Sequence, residues 1–426
     1  MNIGKFLWRA IAIVMAAAVM TLNAYGWEEK PASKRFTFSA KTKEAREYIE
    51  QAILAIENFQ FGPQVRAHAT KAVEADANFA FAHYLVGATF PPAEGQPHVD
   101  KALELAKSAS DAERRYIEAL VLVRSQKAAE GLEKLLALSR DYPEERIVQM
   151  MIGQISMNQG KLDEARAAFE KAIQLDGSTP RVYGFLGNCY LLKGDYAKAR
   201  ELFQKSLAKK QAGTAPFVPN YGLAYCYVYE GDVASALKVL TAYQEEYTRT
   251  GGIPNLPPVF IWNSIGRLLL ENGRAEESIK AYERGYQTVP GSSLDEVEKT
   301  IWLGRLHHGR GRALSKMGKH EEAWKEAELI KKMIEDGGER GKQFWPSYHY
   351  IAGYLKLESG DYAKAIEHLK QANDNDVFHK LLLARAYEKS GDAANARKLY
   401  QEIVNSTQNN LERALAYPEA KRKLKS

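Results

Sequence analysis

Between about residue 42 and residue 405 apolar residues recur three and four positions apart, in stretches of about a dozen residues punctuated by glycine. One stretch, GKLDEARAAFEKAIQLD (160–176), is written again as GDYAKARELFQKSLAKK (194–210) and as GDYAKAIEHLKQANDND (360–376). Aligned on the leading glycine, copies begin at Gly160, Gly194, Gly231, Gly273, Gly318, Gly360 and Gly391. A small residue follows five positions later: Ala165, Ala199, Ala236, Ser278, Ala323, Ala365 and Ala396. A bulky one usually comes four further on: Phe169, Phe203, Leu240, Tyr282, Leu369 and Tyr400. Seven positions before the glycine stands a second small residue: Gly153, Gly187, Ala224, Gly266, Gly311, Gly353 and Ala384. The pattern predicts a unit of two helices joined by a glycine turn, with small residues allowing close approach and large ones filling the space beside them. A single pair cannot bury its apolar face, so the units must stack.

The stretch YGFLGNCYLLKGDYAKARELF resembles a tetratricopeptide repeat, with Tyr183, Leu186, Gly187, Tyr190, Ala199 and Phe203 at that family's spacing. WNSIGRLLLENGRAEESIKAYERGYQTVP repeats it with Trp262, Ile265, Gly266, Tyr282 and Pro290. The resemblance implies an all-α fold, a right-handed superhelical solenoid of stacked helix-turn-helix repeats. About ten units fit between residues 42 and 405: degenerate repeats over 42–143, a regular array over 146–405, then a polar capping helix and basic tail over 406–426. Four insertions, at 91–98, 211–219, 249–258 and 335–346, are read as lengthened turns. Arg310 departs from the pattern by occupying a slot that is usually apolar.

The amino end is different in kind. Lys5 and Arg9 precede an uncharged run from Ala10 to Leu22, and Ala24-Tyr25-Gly26 offers a small-residue cleavage site. This is the form of a secretory signal peptide over residues 1–26, with an uncleaved amino-terminal anchor (residues 10–26) as the alternative. The run is about 13 residues, where a membrane span needs about 20. The expected location is therefore outside the cytoplasm: periplasmic or secreted if the chain is bacterial, otherwise membrane-anchored. Composition is otherwise that of a globular protein, 45% hydrophobic and 26% charged with net charge +6, without the concentrated basic footprint of a nucleic-acid binder. Only peripheral attraction to anionic surfaces is compatible with so mild an excess. Cys189 and Cys226 occupy equivalent positions of neighbouring units, about a helix diameter apart, and read as two buried free thiols.

Catalytic patterns are absent. HEEAW (320–324) has Trp324 where a zinc-protease motif needs its second histidine, and GRGRAL (309–314) follows no strand. His307 and His308 are adjacent and point different ways on a helix. No cofactor or metal is implied. What remains is a stripe on the first helices, which in this family line the concave face: Tyr221, Tyr225 and Tyr229, then Asn263 and Arg267, His308 and Arg312, Tyr350 and Tyr354, and Arg385. Tyr and Arg are typical of binding hot spots, and Arg pairs with carboxylates in two hydrogen bonds. The expectation is a non-enzymatic interaction scaffold of the cell envelope, gripping a protein or peptide segment of acidic character. The alternative is an accessory protein of envelope polysaccharide assembly or export whose stripe contacts glycan.

Overall fold

The structure, a computed structural model, describes residues 37–60, 62–253 and 256–425. The signal or anchor segment lies outside the described residues. Among these, no strand forms beyond one isolated bridge between Ile253 and Leu256. The rest is a succession of helix pairs. The first are α1 (Lys43–Glu57) with α2 (Pro63–Ala75), α3 (Ala80–Ala88) with α4 (Pro92–Ala106), and α5 (Asp111–Arg124) with α6 (Ala128–Asp141). The middle pairs are α7 (Arg146–Asn158) with α8 (Leu162–Leu175), α9 (Pro180–Lys193) with α10 (Tyr196–Ala208), and α11 (Phe217–Glu230) with α12 (Val233–Arg249). Then come α13 (Val259–Glu271) with α14 (Ala275–Tyr286), and α15 (Glu296–Lys316) with α16 (His320–Asp336). After these follow α17 (Trp345–Glu358) with α18 (Tyr362–Leu369), and α19 (Val377–Lys389) with α20 (Ala393–Asn405). A last helix, α21 (Leu411–Lys425), follows them.

The repeating phrase now has a physical account. Each phasing glycine ends or follows a first helix in the left-handed conformation, as at Gly194 (φ 84°) and Gly231 (φ 80°), where a side chain would be strained. The small residue and the bulky one face each other across the pair. A Cβ on Gly187 would come within 2.7 Å of the Phe203 ring, and one on Gly153 within 2.6 Å of Phe169. Gly266 meets Tyr282 and Gly353 meets Leu369 in the same manner. In each case the bulky residue comes sixteen positions after the glycine. Stacking follows, because the Phe203 ring also presses on Gly222 of the next unit.

Two details differ from the sequence reading. Residues 92–98 do not lengthen a turn; they form the start of α4. Pro92 sits in the first turn, where no N–H donor is needed, and Gly95 packs against the backbone of Gly87 rather than making a turn. Arg310 replaces an apolar residue because it bridges helices, with its Nε 3.0 Å from Glu326 and its Nη1 3.8 Å from Glu283. Glu326 is buried and also bonds His307 Nδ1 at 2.5 Å.

Both ends of the array fold back on its middle. Near the amino end, buried Glu57 at the close of α1 meets Arg146 Nη2 at 2.6 Å and accepts from Thr179 Oγ1 at 2.9 Å. Phe59 lies 6.3 Å from Phe185, centroid to centroid, and against Gly184. At the other end α21 packs on α20 and α19 and then reaches α11, where Arg413 Nη1 donates to the hydroxyl of Tyr229 at 2.5 Å. The closing helix is thus more than a cap: Leu411 and Ala414 belong to the same buried cluster as Tyr225, Tyr229 and Ile265.

Candidate functional site

The first helices of successive units lie side by side as an inner layer, α13 against α15 and α15 against α17. That arrangement brings much of the stripe together. Tyr221, Tyr225, Asn263, Arg267, His308, Arg312 and Tyr350 all line one cavity of about 420 Å³, partly open to solvent. The other three do not. Tyr354 is wholly buried between helices, Tyr229 lies beneath α21, and Arg385 is held by Glu419 of α21 through two hydrogen bonds of 2.9 and 2.5 Å.

The stripe is also less exposed than amphipathic spacing suggests. Tyr221, Tyr225, His308, Arg312 and Tyr350 are buried, because the inner helices pack closely and α21 roofs part of the groove. Arg312 in particular does not stand free of the packing. Its Nε donates to the carbonyl of His308 at 3.1 Å, Nη1 to Tyr350 Oη at 2.8 Å and Nη2 to Tyr282 Oη at 3.0 Å. It ties three units together, so it is a structural as well as a lining residue. Tyr221 behaves likewise, its hydroxyl 3.0 Å from Ser264 Oγ.

Several lining groups carried no signal in the repeat pattern. Phe217 stacks on Tyr221 at 4.2 Å between centroids, and Phe260 lies 6.0 Å from Phe217. Arg305 shares a helix face with His308 and Arg312 and was recoverable from that spacing. Asp376 and His379 enter from the start of α19, and Asn410, Leu411 and Glu412 from the start of α21. The last three come from a helix whose return across the groove has no local signature.

Electrostatically the cavity sets the guanidinium groups of Arg267, Arg305 and Arg312 beside the carboxylates of Asp376 and Glu412. Burial, reinforced by Arg312 and neighbouring cations, holds His308 well below the usual imidazole range, so it is neutral at pH 7. Its Nε2 lies 2.6 Å from Ser347 Oγ, while the buried Nδ1 has no partner among the described residues. Burial likewise lowers His379, against the opposing pull of Asp376 at 3.6 Å. The tyrosine hydroxyls of Tyr221, Tyr225 and Tyr350 are pushed up by desolvation and stay protonated. Among the described residues no cluster of three or more His, Cys, Asp or Glu is placed to hold a metal ion.

Tetratricopeptide-repeat models match residues 144–212, 221–293 and 356–416. Cellulose synthase 1 operon protein C of Komagataeibacter xylinus is 23% identical over 261 residues, which are 58% of this chain and 18% of that protein. The chain thus spans less than a fifth of that relative's length. Among solved structures, a tetratricopeptide-repeat protein from Parabacteroides merdae is 18% identical, with 65% of this chain and 98% of that one covered and a TM-score of 0.47. PilW, a type IV pilus biogenesis factor, is 13% identical over 55% of this chain and 98% of its own, with a TM-score of 0.41. Three repeat models matched in succession, on a solenoid of helix pairs with the family's glycine register, place this chain in the tetratricopeptide-repeat family.

Proposed function

We propose that the protein is a non-catalytic interaction scaffold of the cell envelope, exported by its amino-terminal segment, that seats a partner protein segment on the concave face. The observation that carries this reading is convergence: seven side chains from α11, α13, α15 and α17, chosen by register alone, meet at one cavity that opens to solvent. Aromatic walls supply rigid apolar area at low entropy cost, and Arg267 and Arg305 supply charge-assisted donors for an acidic element of the partner. Arg385, already paired with Glu419, is not part of that grip.

A second reading is favoured by the lining. Flat rings beside Asn263, Asp376 and His379 also suit a saccharide, and the name of the Komagataeibacter relative points to cellulose synthesis. On this reading the protein is an accessory of envelope polysaccharide assembly or export. Chemical crosslinking in the native envelope, followed by glycosidase treatment and mass spectrometry, separates the two. A protein adduct retained after glycosidase supports the scaffold, and a glycan adduct lost with it supports the second reading. Absence of any adduct on α11, α13, α15 or α17 contradicts both.

A further inference from the structure

Positive groups crowd the cavity, and not all of them have a carboxylate partner among the described residues. Three guanidinium groups face it: Arg267 from α13, and Arg305 and Arg312 from α15. Arg312 is only 4% exposed, and its three acceptors are a carbonyl and two tyrosine hydroxyls, none of them a carboxylate. Arg267 is ion-paired through Nε with Glu271 Oε1 at 3.4 Å and stacks over the Phe378 ring at 4.0 Å, while its buried Nη2 has no hydrogen-bond acceptor among the described residues. Arg305 stands at the exposed rim, over the Trp302 ring at 4.9 Å. Two carboxylates line the same space. Asp376 is committed to the start of α19, accepting from the N–H of Phe378 at 2.8 Å and of His379 at 3.3 Å. Glu412 lies in the first turn of α21, the end of a helix at which the backbone itself carries partial positive charge.

Buried donors without acceptors are costly, and so are buried cations without a counter-charge. With Glu271 counted beside Asp376 and Glu412, three cations meet three carboxylates and the histidines are neutral, but Arg305 forms no ion pair among the described residues and stands at the exposed rim. A single carboxylate suits the donors of Arg267 and Arg305 and brings in less charge than a dianionic phosphate. Size and shape narrow the choice further. A space of about 420 Å³ falls in the range of small-ligand sites and is too narrow for a helix about 10 Å across. Its walls are flat rings, Phe217, Tyr221 and Phe260, with hydroxyl and amide groups between them.

We propose that this cavity is a site for one ring-sized organic carboxylate, its ring against the aromatic wall and its carboxylate met by Arg267 and Arg305. The inference rests on the same cavity as the scaffold reading but does not need a protein partner. A sugar acid and an aromatic carboxylate share the required chemistry.

Isothermal titration of the full chain distinguishes them. The probes are D-glucuronate against D-glucose, and N-acetylphenylalanine against its amide. At least one acid should bind about tenfold or more tightly than its neutral counterpart, the scale of a charge-assisted contact in a desolvated site. A preference for glucuronate alone identifies a sugar acid; one for N-acetylphenylalanine alone, an aromatic carboxylate. Arg305→Gln should remove most of the preference without shifting the thermal melt, since this exposed group pairs with no carboxylate among the described residues. Arg267→Gln should act in the same direction. No acid preference in either pair, or a preference that survives both substitutions, overturns the proposal. A captured protein partner without acid preference sinks this inference and spares the scaffold; acid preference without any partner does the reverse.

Discussion

Replacing Gly187 by Leu tests whether the units stand alone or as a stack. The Cβ alone would sit 2.7 Å from Phe203 Cε1, where carbon atoms rest at about 3.5–4.0 Å, and the three further carbons of leucine need room beyond it. The ring has nowhere to go, because its other side presses on Gly222 of α11, and Phe203 is wholly buried. Overpacking of a well-filled core costs about 1–3 kcal/mol, and this hemmed position belongs at the upper end. Leucine recovers about 1 kcal/mol through its better helix propensity, leaving a net loss of about 2 kcal/mol. Because one ring is clamped between α9 and α11, the damage should spread into the unit 217–249. Urea unfolding followed by circular dichroism gives the size, and hydrogen exchange gives the extent. Adding Phe203→Leu should recover part of the loss. Unchanged stability would refute the packing account, and loss of protection confined to residues 180–212 would refute the stack.

Other perturbations probe other contacts. Glu57→Ala removes the buried acid facing Arg146 and Arg181 where α1 closes on the middle of the array, and should cost about 3–5 kcal/mol, read as a lowered urea midpoint. His83, His308, His349, His368 and His379 are all held below the usual imidazole range, chiefly by burial. The unfolded chain takes up protons near pH 6.5 while the folded one does not, so stability is complete above that value and falls as pH drops below it. A thermal midpoint that stays level from pH 7.5 to 5.5 would contradict this. Burial pushes the thiols of Cys189 and Cys226 up to about 12, so neither should react with a maleimide at pH 7 until the chain is unfolded.

Much of the architecture could be read from the chain because it is local. A glycine with positive φ and a small residue facing a bulky one sixteen positions later are constraints within one unit, and repetition makes them visible. Where a unit breaks the phrase, the reading weakens. Gln126, 34 residues before Gly160, adopts the same left-handed turn (φ 63°) without being glycine, so the α5–α6 junction is hidden. Pro92 and Gly95 look like a loop and instead serve helix start and helix contact. The register of the first helices identified the face on which the cavity lies, but periodicity cannot say what covers a face. The contact of Arg413 with Tyr229 joins residues 184 apart, and nothing near either of them announces it. For that reason Tyr229 and Arg385 read as free binding residues when they are the seat of α21, and Arg312 reads as surface when it links three units.

The most direct test of the scaffold is site-specific photo-crosslinking in intact cells, comparing a probe at Asn263 in the cavity wall with one at Glu201 on the exposed side of α10. The proposed function requires a discrete protein adduct from position 263, weakened by Arg305→Gln, and none of that size from position 201. Equal adducts from both positions, or an adduct from 201 alone, would contradict a partner seated on the concave face.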